Sequence, residues 1–171
     1  MVDRNKQYPS RKRMRLENFD YSSVNAYHIT ICTYQDRLLL SRVVYGEEPL
    51  DARCVLTPIG EVVEQELMAL PIRYPFLSLD NYVIMPNHIH ALMTIHETER
   101  DEGRTTISSI VQSFKSLATR KSRQVGYHEL HLFQRSFNDR VIRDDNHYEQ
   151  TWYYIDINPA KWSKDRYYRE W

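Results

Sequence analysis

Two histidines separated by a single residue are the side chains of this sequence with the clearest capacity for chemistry. His88 and His90 lie within NYVIMPNHIHALMTIH, residues 81–96, whose apolar and β-branched residues predict strands. Because side chains alternate between the two faces of a strand, both imidazoles should point the same way, within reach of one cation. Neutral imidazole is a common ligand of divalent metals. Two incidental histidines on a half-exposed strand would give the same pattern, so the pair needs support from elsewhere in the chain.

A tyrosine and an asparagine near the C-terminus offer that support. In the segment HYEQTWYYIDINP, residues 147–159, Tyr154 and Asn158 are four residues apart and therefore share one face of a predicted helix. Asn158 could supply an amide oxygen to a metal, and Tyr154 would be held one turn before it. Tyr153 would point about 100° away from Tyr154. The chain has 13 tyrosines, so spacing alone does not separate Tyr154 from a tyrosine that merely packs in the core.

The periodicity of the sequence predicts the elements that would position these residues. Strands are expected at 26–34, 77–85, 88–96 and 130–137, and helices at 57–70, at 107–123 and from Asp144 or Asp145 to Pro159. Residues 36–56 are ambiguous, and the aromatic tail KWSKDRYYREW is expected to pack back on the domain. This order predicts an α+β, ferredoxin-like βαββαβ fold with an antiparallel sheet, helices on one face and an extra C-terminal helix.

Length and composition favour one globular domain. With 171 residues, we expect a single domain over 21–171, preceded by a basic N-terminal arm over 1–20. No segment approaches the roughly 18 apolar residues of a membrane span, and the N-terminus does not resemble a secretory signal. Cys32 and Cys54 are expected to be reduced thiols, so we predict a cytoplasmic protein without a membrane partner.

The net charge is zero, which taken alone argues against a nucleic-acid-binding protein. The charges are unevenly distributed, however, because residues 1–16 carry six basic residues and one acid, and residues 103–123 carry five basic residues and no acid. A polyanion responds to the local field, so these segments could bind one. A solubilising tail and a solvated helix face would explain the same charges equally well.

Several motifs together resemble a known family. The phrase PNHIHALM resembles the His-hydrophobic-His strand of the HUH single-strand transposases, in particular the REP-associated tyrosine transposases. The segments YHITICTYQDRLLL, SFKSLATRKSRQ, FQRSFNDRVIRD and YYIDINPAKW match that family in the right order, so the resemblance covers the chain from about Arg15 to Tyr168. Phe133 stands where the family often has tryptophan, and Arg140 lies where it often has histidine.

The resemblance implies an activity and a role for each candidate residue. His88 and His90 would be metal ligands, Asn158 would be the third, and Tyr154 would be the nucleophile. The implied activity is metal-dependent cleavage and strand transfer of single-stranded, hairpin-flanked DNA through a 5′-phosphotyrosine intermediate, by a monomer or a homodimer. An open set of two imidazoles and an amide oxygen suits Mg²⁺ or Mn²⁺.

Such an enzyme must bind DNA as a single strand or a hairpin, through basic and aromatic side chains. The candidate DNA-binding residues are Arg11, Arg13, Arg15, Lys115, Arg120, Lys121, Arg123, Arg135, Arg140 and Arg143. Surface pairing with acids such as Asp139, Asp144 and Asp145 is the alternative role for the last three.

Two other classes of function remain open from the sequence. The first is a nucleic-acid-binding protein of the same fold, including a domesticated transposase that no longer cuts DNA. An RNA-recognition module would need paired aromatics on its central strands, and the sequence His88-Ile89-His90 does not provide them. The second is a metal-binding regulator in which the two histidines hold a structural ion. Measuring the metal content of the protein and its cleavage of single-stranded hairpins would distinguish these functions from that of a nuclease.

Overall fold

A computed structural model of the protein describes residues 25–48, 50–97 and 105–170. Its strands and helices are, in chain order, β1 (Asn25–Cys32), β2 (Ser41–Tyr45), β3 (Ala52–Leu56), α1 (Pro58–Met68), α2 (Leu70–Arg73), β4 (Leu77–Ile84), β5 (His88–Ile95), α3 (Ile107–Ser122), β6 (Asn138–Val141) and α4 (Asp145–Asp156). Short 3-10 helices cover Tyr34–Asp36, Arg123–Val125 and Pro159–Lys164.

A four-stranded antiparallel sheet with the order β4-β5-β1-β6 forms the centre of the domain. β1 pairs along its whole length with β5, which places Cys32 opposite His88 and Thr30 opposite His90. β2 and β3 form a separate two-stranded hairpin, inserted between β1 and α1. Without that hairpin the order is βαββαβ, so the predicted ferredoxin-like topology is confirmed.

The two faces of the sheet are covered by different helices. On one face, Tyr27, Ile29 and Ile31 of β1 are fully buried in the main core together with residues of α1 and α3. On the other face, Leu92 of β5 packs against Ile155 of α4 in a second, smaller cluster. Because side chains alternate along a strand, the odd-numbered residues of β1 point into the main core. His28, Thr30, His88 and His90 lie on the opposite face, toward α4. The two long helices on one face and the extra C-terminal helix are as predicted.

The helix starts follow the capping signals in the sequence. The side chain of Thr57 accepts a hydrogen bond from the amide of Gly60, and Pro58 occupies the first turn of α1. The side chain of Asp144 accepts one from the amide of His147, so Asp144 rather than Asp145 caps α4. The start of α4, and with it the angular position of every later residue of the helix, is thus set locally.

The strand predicted at 130–137 is wrong in position. Phe133 forms one isolated bridge with Thr33, and the strand that completes the sheet is β6, at Asn138–Val141. Leu132, Phe133 and Phe137 are buried in the main core. This segment is apolar because its side chains are buried in the core, although its backbone is irregular. Periodicity does not distinguish such a segment from a short buried strand.

The predicted N-terminal arm, with Arg11, Arg13 and Arg15, lies outside the described residues, so the proposed boundary between residues 20 and 21 stays a prediction. The expected packing of the C-terminal tail is confirmed for Trp162, which is 4% exposed. In the part of the chain that the structure describes, no helix has both the length and the apolar character needed to cross a bilayer.

Candidate metal and tyrosine site

The two candidate ligands lie side by side under α4 and the C-terminal tail. Alternation on β5 turns His88 and His90 to the same face, where the side chains are 0% and 2% exposed and the ring centroids are 4.7 Å apart. The ring of Tyr167, from the tail, packs 4.6 Å from that of His88. The sheet, α4 and the tail thus exclude most water from the imidazoles.

Burial determines the protonation state of these rings. It lowers the pKa of His88 to about 3, with a further contribution from the nearby Arg166 guanidinium. It also holds the pKa of His90 well below its usual value of 6.5, and the neighbouring His88 and His28 act in the same direction. Both imidazoles are therefore neutral at pH 7, the form that can donate a lone pair to a metal.

A carboxylate completes a group that could hold a metal ion. Asp165, in the tail, places its Oδ2 3.9 Å from Nε2 of His88, and ligand atoms of His88, His90 and Asp165 all lie within 4.8 Å of one another. Nε2 of His88 is buried and has no hydrogen-bond partner among the described residues. A buried nitrogen that lacks a partner is costly unless something binds it, so this donor set fits a cation.

Asn158, the predicted third ligand, is also buried. It follows the end of α4, is 2% exposed, and its Oδ1 finds no hydrogen-bond partner in the described part of the chain. An unsatisfied buried amide oxygen is consistent with a ligand role. Asp165 was not expected from the sequence because it lies in the tail, where no periodic pattern singles it out. The third position therefore has two candidates, Asn158 and Asp165.

Tyr154 projects from α4 toward the histidines. Its hydroxyl lies 3.4 Å from Nε2 of His90, and its ring contacts that of His90 edge-on at 5.2 Å between centroids. Tyr154 is 39% exposed and Tyr153 is 60% exposed. The helical geometry thus brings Tyr154, and not Tyr153, to the site, and Tyr154 stays partly open to solvent. Trp152, on the same helix, is 40% exposed.

Tyr154 also faces a cleft of about 540 Å³. The cleft is lined by His28, Thr30, His90, Asn138, Asp139, Arg140, His147, Gln150, Thr151, Tyr154 and Arg166. Of the candidate DNA-binding residues, Arg140 lies here, and Arg166 is a basic residue of the cleft that the sequence reasoning missed. Arg143 is exposed and does not line it.

His28 and Thr30 are further members of the site that were missed. Nδ1 of His90 lies 3.1 Å from Nε2 of His28 and 3.0 Å from Oγ1 of Thr30. Burial and then the Arg140 guanidinium lower the pKa of His28 to about 4. The alternation of YHITICTY could have revealed both residues, since once Ile29 and Ile31 are assigned to the core, His28 and Thr30 must face the opposite way.

A second cleft gathers most of the remaining basic candidates. It has a volume of about 800 Å³, and its lining includes Lys115, Arg120, Arg123 and Arg135 together with Tyr34, His131 and Phe133. We call it the basic groove. The rings of Tyr34 and His131 lie 5.7 Å apart within it.

Both lysine candidates already have partners in the protein. The ammonium group of Lys115 donates to the carbonyl oxygen of Arg135 at 2.9 Å, and that of Lys121 forms an ion pair with the buried Glu66. Lys121 does not line the basic groove. The charge available to a bound polyanion in this cleft therefore comes mainly from Arg120, Arg123 and Arg135, all of which are exposed.

Comparison with known proteins places this geometry in context. No family model matches the chain. An uncharacterized protein of Haemophilus influenzae Rd is 30% identical over 177 residues, covering 92% of this chain and 93% of its own length.

Among solved structures, a REP-associated tyrosine transposase bound to a REP hairpin superposes with a TM-score of 0.58 at 19% identity, covering 86% of this chain and 73% of that one. A candidate transposase from Deinococcus radiodurans R1 has a TM-score of 0.50 at 14% identity, covering 81% and 95%. At these identities the structures show a shared fold, and it is the fold of the family that the motifs resembled.

The lowered pKa values of the partly buried His28 and of the buried His88 and His90 predict that the stability of metal-free protein is sensitive to acid. Their pKa values are lowered in the folded state, so the unfolded chain binds protons first as the pH falls below 6.5. In EDTA, the free energy of unfolding should decrease from pH 7 to pH 5, by up to about 1.4 kcal/mol per pH unit for each such histidine. Urea denaturation at several pH values measures this slope.

The matched variants are His28→Gln and His128→Gln. The first removes a partly buried histidine with a lowered pKa and should reduce the slope, whereas the second removes an exposed one and should leave the slope unchanged. A stability that is constant between pH 7 and pH 5 would contradict the burial argument.

Proposed function

We propose that this chain, which belongs to the same family as the uncharacterized Haemophilus influenzae protein, is a metal-dependent endonuclease and strand transferase acting on single-stranded, hairpin-flanked DNA. Its fold is that of a REP-associated tyrosine transposase whose solved structure holds a REP hairpin. The observation that carries the proposal is the Tyr154 hydroxyl, 3.4 Å from Nε2 of His90 and beside the His88, His90 and Asp165 group. A fold alone hosts many functions, so the argument rests on this site.

The donor set fits a divalent cation, for which we propose Mg²⁺ or Mn²⁺. Two neutral imidazoles and an oxygen from Asp165 or Asn158 would hold it, and the buried, unpartnered Nε2 of His88 and Oδ1 of Asn158 support the fit. When bound, the ion would supply positive charge for a phosphate oxygen of the DNA.

Tyr154 is the nucleophile in this proposal. Its phenolic oxygen forms a bond to phosphorus, the bond from phosphorus to the 3′ oxygen breaks, and the phenolic proton leaves while the 3′ oxygen gains one. The product is a 5′-phosphotyrosine and a free 3′-OH. Because the phosphodiester is exchanged for another phosphoester, a 3′-OH of a second strand can reverse the step without ATP. Partial exposure of Tyr154 at the 540 Å³ cleft supports access of a DNA strand.

The basic groove is the proposed binding surface for the rest of the DNA. Arg120, Arg123 and Arg135 supply charge for phosphates, and the rings of Tyr34 and His131 are suited to stacking on unpaired bases. Arg140 and Arg166 would contact the strand near the tyrosine, because both line the cleft that Tyr154 faces.

Replacing the nucleophile tests the reaction directly. Tyr154→Phe should abolish the covalent adduct with a 3′-labelled hairpin oligonucleotide carrying a single-stranded flank, because only the hydroxyl is removed and the strand held as 5′-phosphotyrosine keeps the 3′ end. Tyr153→Phe is the matched control and should leave adduct formation within about twofold, since Tyr153 is 60% exposed and points away from His90. Denaturing gel electrophoresis detects the adduct, and its survival in Tyr154→Phe would rule out this nucleophile.

Removal of the metal or its ligands tests the second part of the proposal. His88→Ala and His90→Ala should abolish cleavage while the far-ultraviolet circular dichroism spectrum is retained, and EDTA should do the same to the unaltered protein. Asn158→Leu and Asp165→Asn distinguish the two candidates for the third position. Replacing the true ligand should weaken Mn²⁺ binding by the protein at least about tenfold, as measured by calorimetry. Full cleavage in EDTA would contradict metal dependence.

Salt dependence tests the basic groove. Each phosphate contact that is lost should reduce the slope of log affinity against log salt by about 0.7 for a single strand. Arg120→Ala, Arg123→Ala and Arg135→Ala should each show that reduction in fluorescence-anisotropy titrations. Lys121→Ala should not, because Lys121 lies outside the groove and pairs with Glu66. Equal effects from all four substitutions would reject the groove as the binding surface.

A further inference from the structure

Asn87 lies immediately before the histidine strand and is almost completely buried, at 1% exposure. Its amide nitrogen contacts two backbone carbonyl oxygens, that of Tyr167 at 2.7 Å and that of Asp36 at 3.2 Å. Its Oδ1 lies 2.9 Å from Nδ1 of His88. No other side chain among the described residues joins the histidine strand, the turn after β1 and the C-terminal tail in this way.

The chemistry of these partners leaves one orientation for the amide. Carbonyl oxygens only accept hydrogen bonds, so the group that faces Asp36 and Tyr167 must be the NH₂ and the group that faces His88 must be the oxygen. An amide oxygen is likewise only an acceptor, so Nδ1 of His88 must carry the proton. In a neutral imidazole with a proton on Nδ1, the lone pair is on Nε2.

We propose that Asn87 is a positioning residue that holds His88 in the tautomer whose Nε2 lone pair is directed to the metal. The inference rests on the proposed ligand role of His88. It specifies which atom binds and which residue selects it. Nε2 is also the atom that lies nearest Asp165 and lacks a hydrogen-bond partner among the described residues, as expected for the ligand atom.

The second histidine has no comparable constraint. Nδ1 of His90 lies near the hydroxyl of Thr30 and Nε2 of His28, and each of these groups can donate or accept a hydrogen bond. Its tautomer can therefore adapt to its surroundings. Selection at His88 matters more, because Asp165 lies on the Nε2 side of the ring and would accept a hydrogen bond from Nε2–H if the competing acceptor at Asn87 were removed.

The turn after β1 gives Asn87 a rigid partner. Gln35 and Asp36 both have a left-handed backbone, with φ of 57° and 54°, a conformation that costs free energy for residues other than glycine. The carboxylate of Asp36 is held by Gln134 at 2.9 Å and by Arg169 at 2.7 Å. These bonds stabilise the unfavourable turn and keep the Asp36 carbonyl aimed at the Asn87 amide.

The tautomer of His88 can be measured without metal or DNA. Long-range ¹H–¹⁵N NMR of metal-free protein at pH 7 should show a protonated Nδ1 and an unprotonated Nε2 for His88 in the unaltered chain and in Asn87→Asp, which keeps an acceptor at that position. In Asn87→Leu the acceptor is lost, and the proton should move to Nε2, toward Asp165. An Nε2–H tautomer in the unaltered protein would overturn the proposal without recourse to any variant.

Metal affinity gives a second readout. Calorimetric titration with Mn²⁺ should show a dissociation constant about ten- to a hundredfold weaker for Asn87→Leu and one no weaker than the unaltered value for Asn87→Asp. Both substitutions remove the donors to Asp36 and Tyr167, so both should lower thermal stability. Equal loss of affinity in the two variants would reduce Asn87 to a structural residue and overturn the proposal.

Thr33→Val is the matched control. The Thr33 hydroxyl donates to the carbonyl oxygens of Arg37 and Asn87 and does not contact His88. Its loss should lower stability while the tautomer and the Mn²⁺ affinity are retained. The outcome is separable from the proposed function: if Asn87→Leu shifts the tautomer and weakens Mn²⁺ binding but the unaltered protein never cleaves DNA, the enzyme proposal fails and this one holds. If the unaltered protein cleaves DNA but the proton of His88 stays on Nδ1 in Asn87→Leu, the enzyme proposal holds and this one fails.

Discussion

The burial of two neighbouring imidazoles is the constraint on which the rest of the site depends. His88 and His90 are almost completely removed from water, and the charged form of each ring is strongly disfavoured there. A neutral imidazole still has one nitrogen that must donate and one that must accept. The surrounding structure meets this demand on the Nδ1 side with Asn87 for one ring and with Thr30 and His28 for the other. The Nε2 sides are left for Tyr154, Asp165 and a ligand.

The features that could be predicted from the sequence are those encoded over short distances. Alternation placed His88 and His90 on one face, and helical spacing placed Tyr154 on α4. The helix ends at Asp156, however, so Asn158 lies beyond it and the predicted shared helical face is not formed. Capping residues located the starts of α1 and α4 within one residue. Each of these patterns depends on local backbone geometry, which the adjacent side chains report directly.

The features that were missed depend on contacts between distant parts of the chain. Asn87 and Tyr167, for example, are 80 residues apart. Asp165 lies in a tail without periodicity, so its approach to His88 could not be derived from its neighbours. The misplaced strand has the same origin, because Leu132 and Phe133 are apolar for burial in the core and not for pairing in the sheet. Tertiary packing thus decided each case in which local pattern failed.

The candidate metal site is assembled from separate stretches of chain that meet only in the folded protein. β5 brings the two histidines, α4 brings Tyr154, and the tail brings Asp165 and the carbonyl that orients Asn87. A ligand set of this kind does not exist in the unfolded chain, so an ion that bound it would stabilise the folded state and, through Asp165, the docked tail. The linkage is reciprocal: a tail held by Asn87, Trp162 and the Arg169–Asp36 ion pair also raises the affinity for the ion. The C-terminal residues are therefore part of the candidate site itself, although the sequence motif that identifies the site ends before them.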